Sequence, residues 1–436
     1  MAAGCRDFLL PRRVVSSRCA PGVKVPDDLG EALALYRARP AEDELFARPR
    51  ALTIAGGGPA VGVGLGVLQA LESFPRLKFK VWSLSCVGAW LGCLYHASPD
   101  ADKLGHVTRL MESFFREDAV YDGFPCPAVF VPDFPEMISA YLRFMVDPRS
   151  YANLVVPTAI VKAYQDLHDY YLKPSAWNYG DFCRLVFNAM LAPNPAARFL
   201  MSMIYKSEIP GLNKLWFGED DGFLRTLDMS LLARPEVPIL YHNAYNLDQH
   251  RLQLFSNKHE GYPPITTKSL CACSGLPYVL SPVTIDGETY VEGAMIDTVG
   301  FCHLLENHGD LREIWVCRLL DAHQIHRHRN LLEALNNLVM LFASTTAEDD
   351  VVLFKHQLHA WNAARSNSPI ELIEFQLQSG TNFDWTLSNL RNSARRSRDA
   401  AVRRIAEYLG RREASPPGHP DCEFRTFPDG AMTRMR

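Results

Sequence analysis

Two stretches without a single charged side chain constrain this chain most: residues 51–71 (ALTIAGGGPAVGVGLGVLQAL) and 81–97 (VWSLSCVGAWLGCLYHA). Each is apolar enough to suggest a membrane span. The first, however, carries Gly56-Gly57-Gly58-Pro59 near its centre, which breaks a helix, and the second is short for a bilayer. Both read as buried strand–turn–helix units. In the first, a short strand at 51–55 runs into the glycine turn and then a helix through Val67, Leu68 and Leu71. In the second, a strand at Phe79–Leu84 meets a tight turn at Ser85–Val87 and a buried helix at Gly88–His96. Strands alternating with helices predict a parallel α/β sheet with its functional loops at the C-terminal ends of the strands.

The rest of the chain fits that class. Hydrophobic residues make up 47% and charged residues 22%, which excludes a disordered, collagen-like or coiled-coil protein. A net charge of −4 gives no support for nucleic-acid binding. Eleven cysteines, with an N-terminal apolar patch far too short for a signal segment, fit reduced thiols and a cytoplasmic location. Between Phe114 and Phe223 lie 21 of the 46 aromatic residues, which predicts a helical insertion with an aromatic core over about 98–235. The α/β pattern resumes at Val237, with strands expected at Pro238–His242, Leu252–Phe255 and Leu311–Arg318 and helices over 330–365 and 390–412.

Three motifs carry chemistry when taken together. Gly56, Gly57 and Gly58 follow a strand and precede a helix, so their backbone N–H groups can line a small anion-binding concavity at a helix N-terminus. A dinucleotide fingerprint fits poorly, because Val61 stands at its last glycine position, and no Lys or Ser/Thr follows to serve a nucleotide's phosphates. The second motif, Leu84-Ser85-Cys86-Val87-Gly88, sits on a strand-to-helix turn, where a nucleophile elbow exposes its reactive side chain. Cys86 is preferred to Ser85 as the elbow residue because Gly88 then falls where a side chain would crowd the turn. The third is the run Cys271-Ala272-Cys273-Ser274-Gly275-Leu276-Pro277, followed by Ser281-Pro282-Val283, Asp286-Gly287 and Val291-Glu292-Gly293-Ala294.

In this order and spacing the motifs resemble the patatin-like acyl hydrolases, a phospholipase family with a Ser–Asp dyad, across roughly residues 50–320. The resemblance implies a three-layer α/β/α fold with a mainly parallel central sheet and a helical, aromatic-rich insertion. The catalytic domain is then expected over 49–325, after an N-terminal extension over 1–48; the residue pattern adds C-terminal helices over 326–412, and the Pro- and Gly-rich composition an unstructured tail over 413–436. The resemblance puts Cys86 at the nucleophile serine, Glu292 at the dyad aspartate, and Gly56, Gly57 and Gly58 at the oxyanion loop. Leu84 departs from the elbow's first glycine, and Ala60 and Val61 depart from the oxyanion loop's arginine and next glycine. A nucleophile and a carboxylate both survive, which favours acyl transfer from an ester or thioester, to water or to another acceptor, over a catalytically inactive scaffold that binds an acyl chain or a partner protein.

Neither a cofactor nor a metal is called for. His323, His326 and His328 lie in a polar, basic stretch and read as a solvated loop, and Cys271 and Cys273 read as packing. Asp297 is an alternative carboxylate, but a cap is the preferred reading. The expected partner is an acyl-bearing small molecule or lipid. Arg391–Arg412 carries eight arginines and an apolar stripe of Val402, Ile405, Ala406 and Leu409. It offers peripheral membrane contact or, preferentially, a surface helix docked by that stripe.

Overall fold

The structure, a computed structural model, describes residues 29–38, 44–98, 102–151, 156–173, 178–191, 194–215, 227–258, 260–320, 324–364, 369–376, 382–411 and 424–428. Its internal contacts divide the chain into two compact units, one built from residues 1–129, 217–275 and 283–436, the other from 130–216 and 276–282.

The larger unit holds a nine-stranded sheet. Its strands are β1 (Arg50–Ile54), β2 (Val81–Leu84), β3 (Ile239–Asn246), β4 (Arg251–Ser256), β5 (Val283–Ile285), β6 (Glu288–Glu292), β7 (Glu313–Arg318), β8 (Glu371–Gln376) and β9 (Phe424–Pro428). They lie in the order β9-β8-β7-β1-β2-β3-β6-β5, with β4 also on β3. From β9 to β3 the pairing is parallel; β4, β6 and β5 add antiparallel strands at the other end.

Strand alternation sorts the core into two faces. Ile314, Val316 and Leu372 point one way and join Ala347, Val351, Phe354 and Leu358 of helix α3 (Leu331–Ala363). Trp315 and Phe375 point the other way, and the Trp315 ring meets Tyr408 of helix α4 (Leu387–Arg411) at 5.3 Å. With both faces covered, β1, β2 and β7 are buried at every residue, as the apolar runs of a parallel sheet require. The result is the expected three-layer α/β/α arrangement. Helices α1 (Val61–Glu72) and α2 (Val87–His96) follow β1 and β2, and α1 packs on α4.

At the C-terminal end one preferred reading holds, the docking of the α4 stripe, and one expectation is corrected. The stripe of Val402, Ile405, Ala406 and Leu409 is buried in the α4 interface, so membrane contact by insertion of that stripe is not available; only the arginine face is left outward. Phe424–Pro428, expected to belong to an unstructured tail, adds a parallel strand beside β8. Its Phe-Arg-Thr-Phe sequence is β-prone and covers an otherwise open sheet edge. Residues 413–423 and 429–436 lie outside the described residues.

The smaller unit is helical, as the aromatic-rich segment predicts. Phe134–Val146, Pro157–Tyr171, Tyr179–Leu191 and Pro195–Lys206 form its longer helices, beside a sheet of Phe130–Pro132, Gly211–Leu215 and Tyr278–Leu280. Proline in the first turn suits three of these starts, and Asn194 caps the last by accepting from the Ala197 N–H at 3.1 Å. Among the described residues no helix is long and apolar enough to cross a membrane.

Candidate active site

The ends of β1, β2 and β6 bring three segments together within the larger unit. After β2 the chain turns at Cys86, whose φ of 48° and ψ of −124° are sparsely populated for a residue with a side chain. Such a backbone costs about 1–3 kcal/mol and persists because its surroundings hold it. Ser85 N–H donates to the Ile54 carbonyl at 3.1 Å, Gly88 N–H to Ser85 at 2.9 Å and Ala89 N–H to Cys86 at 3.0 Å. Gly88 is required by close approach, since a Cβ there would stand 2.3 Å from the Ile54 carbonyl oxygen. The expected elbow is therefore built, with Cys86 capping α2.

The glycine loop passes directly beside it. A Cβ on Gly56 would lie 3.1 Å from the Cβ atoms of both Cys86 and Ala294. The expected trio of donors is reduced to two. Gly56 N–H is engaged with the Thr298 carbonyl at 3.0 Å, whereas Gly57 and Gly58 donate to no partner among the described residues. A positive φ of 51° at Gly58 turns the loop into the 3₁₀ turn that precedes α1. The Gly56 bond is a tertiary contact to a residue more than two hundred positions away, which no local pattern announces.

The third member arrives on β6. Glu292 ends that strand opposite Ala244, and its N–H donates to the Gly275 carbonyl at 3.1 Å. Its carboxyl group lies close enough to the Cys86 thiol for each to shift the other's proton affinity, and each residue is 8% exposed. Two residues 206 positions apart are thus neighbours, as the motif order predicts, at a site that is almost wholly buried.

Electrostatics in this pocket run against a free thiolate. Burial pushes the Cys86 thiol well above the ordinary cysteine value, and the Glu292 carboxylate and Cys273 push it further; Val87 N–H, pointing at the sulfur from the first turn of α2, opposes them. Burial also raises Glu292, to about 7, although the neighbouring Cys86 thiol works in the other direction. The helix N-terminus therefore does not outweigh desolvation. At neutral pH the site holds a protonated thiol beside a carboxyl group poised to gain or lose a proton, which is the condition for general-base activation.

The neighbouring residues divide cleanly. Ser85 is fully buried, its Oγ 2.9 Å from Asn243 Oδ1 and 3.0 Å from the Asp297 carbonyl oxygen, so it serves the framework. Asp297 accepts from Gly300 and Phe301 N–H at 2.8 and 3.0 Å and from Cys302 N–H at 2.9 Å; it braces that loop and caps no helix, since His303 is the N-cap of the Leu304–Asn307 helix that follows. Cys271 and Cys273 are buried, and Cys273 Sγ lies 3.0 Å from the Leu270 carbonyl oxygen. Trp90 Nε1 donates to Ser274 Oγ at 2.6 Å, fixing α2 to the Thr267–Cys273 helix. His326 and His328 are exposed, and His323 lies outside the described residues.

Two contributors were not anticipated. Val87 offers a third donor next to the sulfur, and the residue after an elbow nucleophile is the signal that could have found it. Asp350 of α3 accepts from Thr298 N–H at 2.7 Å and Val299 N–H at 3.2 Å, while the Thr298 carbonyl receives Gly56. One peptide unit thus ties α3 to the glycine loop.

A family model of patatin-like phospholipases matches residues 52–304. Among solved structures, the chain is similar to VipD from Legionella pneumophila, at 14% identity over 83% of this chain and 67% of that one, with a TM-score of 0.35. No curated protein matches the chain.

Proposed function

The chain belongs to the patatin-like phospholipase family, whose chemistry is lipid acyl hydrolysis, and on that premise we propose that Cys86 and Glu292 form its catalytic dyad. The observation that carries this reading is the proximity of the strained Cys86, at the N-cap of α2, to the Glu292 carboxyl group, beside Gly57 and Gly58 N–H groups that are unengaged among the described residues.

The proposed reaction takes two half-steps. Glu292, ionised, accepts the thiol proton as Sγ attacks the acyl carbonyl carbon, forming the C–S bond. The carbonyl electron pair moves to oxygen, where the Gly57, Gly58 and Val87 N–H groups receive it; one such donor is worth about 3–4 kcal/mol in other acyl-transfer sites. Collapse breaks the bond to the leaving alcohol, which takes the proton from Glu292, and leaves a thioester on Cys86. Water then gives its proton to Glu292 as it attacks the thioester carbonyl, and the departing sulfur recovers that proton. An alcohol or amine replacing water in the second half turns hydrolysis into acyl transfer, and a thioester is well suited to such interception.

The elevated thiol pKa favours one competing reading, an inactive scaffold that holds an acyl chain or a partner protein. Turnover of a short-chain activated ester by the wild-type chain and by Cys86→Ala separates the two. Loss of turnover in the variant supports the dyad, and turnover of equal rate in both refutes it. Product analysis with an added alcohol acceptor distinguishes hydrolysis from transfer.

A further inference from the structure

We propose that the outer face of the first turns of α3 is a docking surface for an anionic phospholipid bilayer. This rests on the acyl-hydrolase reading only for its purpose, since binding to vesicles is measured without turnover. On a 3.6-residue wheel, Leu335, Leu338 and Phe342 fall within an arc of about 60°. Met340, Ala347, Val351 and Phe354, which pack into the core, lie on the opposite side. The outward side chains are 42%, 48% and 66% exposed, and Leu341 beside them is 50% exposed. A helix that already buries one apolar face has no structural need of a second.

Charge identifies the occupant. The segment entering α3 presents His326, Arg327 and His328 to solvent, and Asn337 Nδ2 donates to the His326 carbonyl at 2.5 Å, holding that segment against the first turns of the helix. Arg329 reaches Glu333 at 3.3 Å, whereas Arg327 makes no ion pair among the described residues. Exposed Glu348 and Asp349 interrupt the apolar patch further along, before exposed Val352 and Leu353. Large aliphatic and aromatic groups bordered by cations at one end suit insertion among anionic lipid headgroups.

Position gives the surface its use. Asn336, within the same turns, donates to the Phe383 carbonyl at 3.2 Å, and the Phe383 ring lies 3.4 Å from where a Cβ of Gly58 would stand. Met295 and Ile296, half-exposed, stand at the end of the Gly293–Met295 turn that follows Glu292 and packs on α3. Seating these first turns on a bilayer therefore brings Phe383, and with it the glycine loop, towards the lipid.

The test is co-sedimentation of the full chain with phosphatidylcholine vesicles with and without phosphatidylserine. Binding is expected to need phosphatidylserine, to weaken with added salt, and to fall roughly tenfold or more in Leu338→Gln/Phe342→Gln. The double variant should retain wild-type turnover of a soluble short-chain ester, and Cys86→Ala should bind vesicles like the wild type. Vesicle binding by a chain without ester turnover would support the docking surface while refuting the dyad. Undiminished vesicle binding by the double variant, or no binding by the wild type, overturns the proposal. So does a change of oligomeric state in the double variant by light scattering, which would assign the face to a second copy. A lowered unfolding midpoint in that variant also overturns it, because the face would then pack within the chain.

Discussion

Replacing Glu292 by glutamine should stabilise the protein while disabling it, and the size of the gain follows from burial. The Glu292 carboxyl is held neutral up to about pH 7, against an ordinary value of 4.5. At about 1.4 kcal/mol per pH unit, ionising it in the folded chain costs on the order of 3 kcal/mol. Below pH 4.5 folded and unfolded chains both keep the proton, and the favourable contribution is fully present. Between 4.5 and about 7 the unfolded chain has released it and the folded chain has not, so stability declines as pH rises, and the loss is complete above about 7. Asp350, also pushed up to about 7 by burial and by Asp297, adds a slope of its own, so the informative quantity is the difference between wild type and variant. Urea denaturation at pH 4 should give nearly equal midpoints. At pH 8 Glu292→Gln should be more stable by up to about 3 kcal/mol. Its ester turnover should fall by about 10²–10⁴, and wild-type turnover should rise with pH through about 7 as the base ionises. A variant no more stable than wild type at pH 8 would refute the claim that this carboxylate is desolvated.

Other perturbations test neighbouring parts of the account. Iodoacetamide at pH 8 should modify Cys86 at least about tenfold more slowly than exposed Cys183, because the buried thiol resists ionisation; peptide mass mapping reads the ratio. Gly88→Ala should destabilise by about 1–3 kcal/mol in urea and displace Cys86, because its Cβ would enter contact at 2.3 Å with the Ile54 carbonyl oxygen. Glu313→Ala should cost about 3–5 kcal/mol, read by chemical denaturation, because it leaves the fully buried Arg50 without the carboxylate that its Nε donates to at 2.7 Å.

How far the sequence carried depended on the range of the interaction. The elbow at Cys86 was legible because strand, turn and helix are contiguous, although the close approach that requires Gly88 comes from the Ile54 carbonyl of the neighbouring strand β1. The meeting of Cys86 with Glu292 was legible only through the order of family motifs, since nothing local to Val291-Glu292-Gly293 says which loop it faces. The fate of the Gly56 N–H was hidden, because it depends on where the Thr298 carbonyl arrives after several crossovers of the sheet. The thiol's electrostatics were hidden for a related reason: a helix N-terminus is visible in sequence, but the depth of burial that outweighs it is a property of the packed layers. The stripe on α4 showed its amphipathicity plainly and left what covers it unnamed.

The central claim is that the sulfur of Cys86 carries the acyl group during turnover. Intact-mass analysis after exposure to an activated acyl thioester or a fluorophosphonate tests it most directly, with peptide mapping and Cys86→Ala as control. The account predicts one added acyl or phosphonyl mass on the peptide that contains Cys86, discharged by water or an added acceptor in the acyl case, and none in the variant. Catalytic turnover with the label on another residue, or on none, would contradict it.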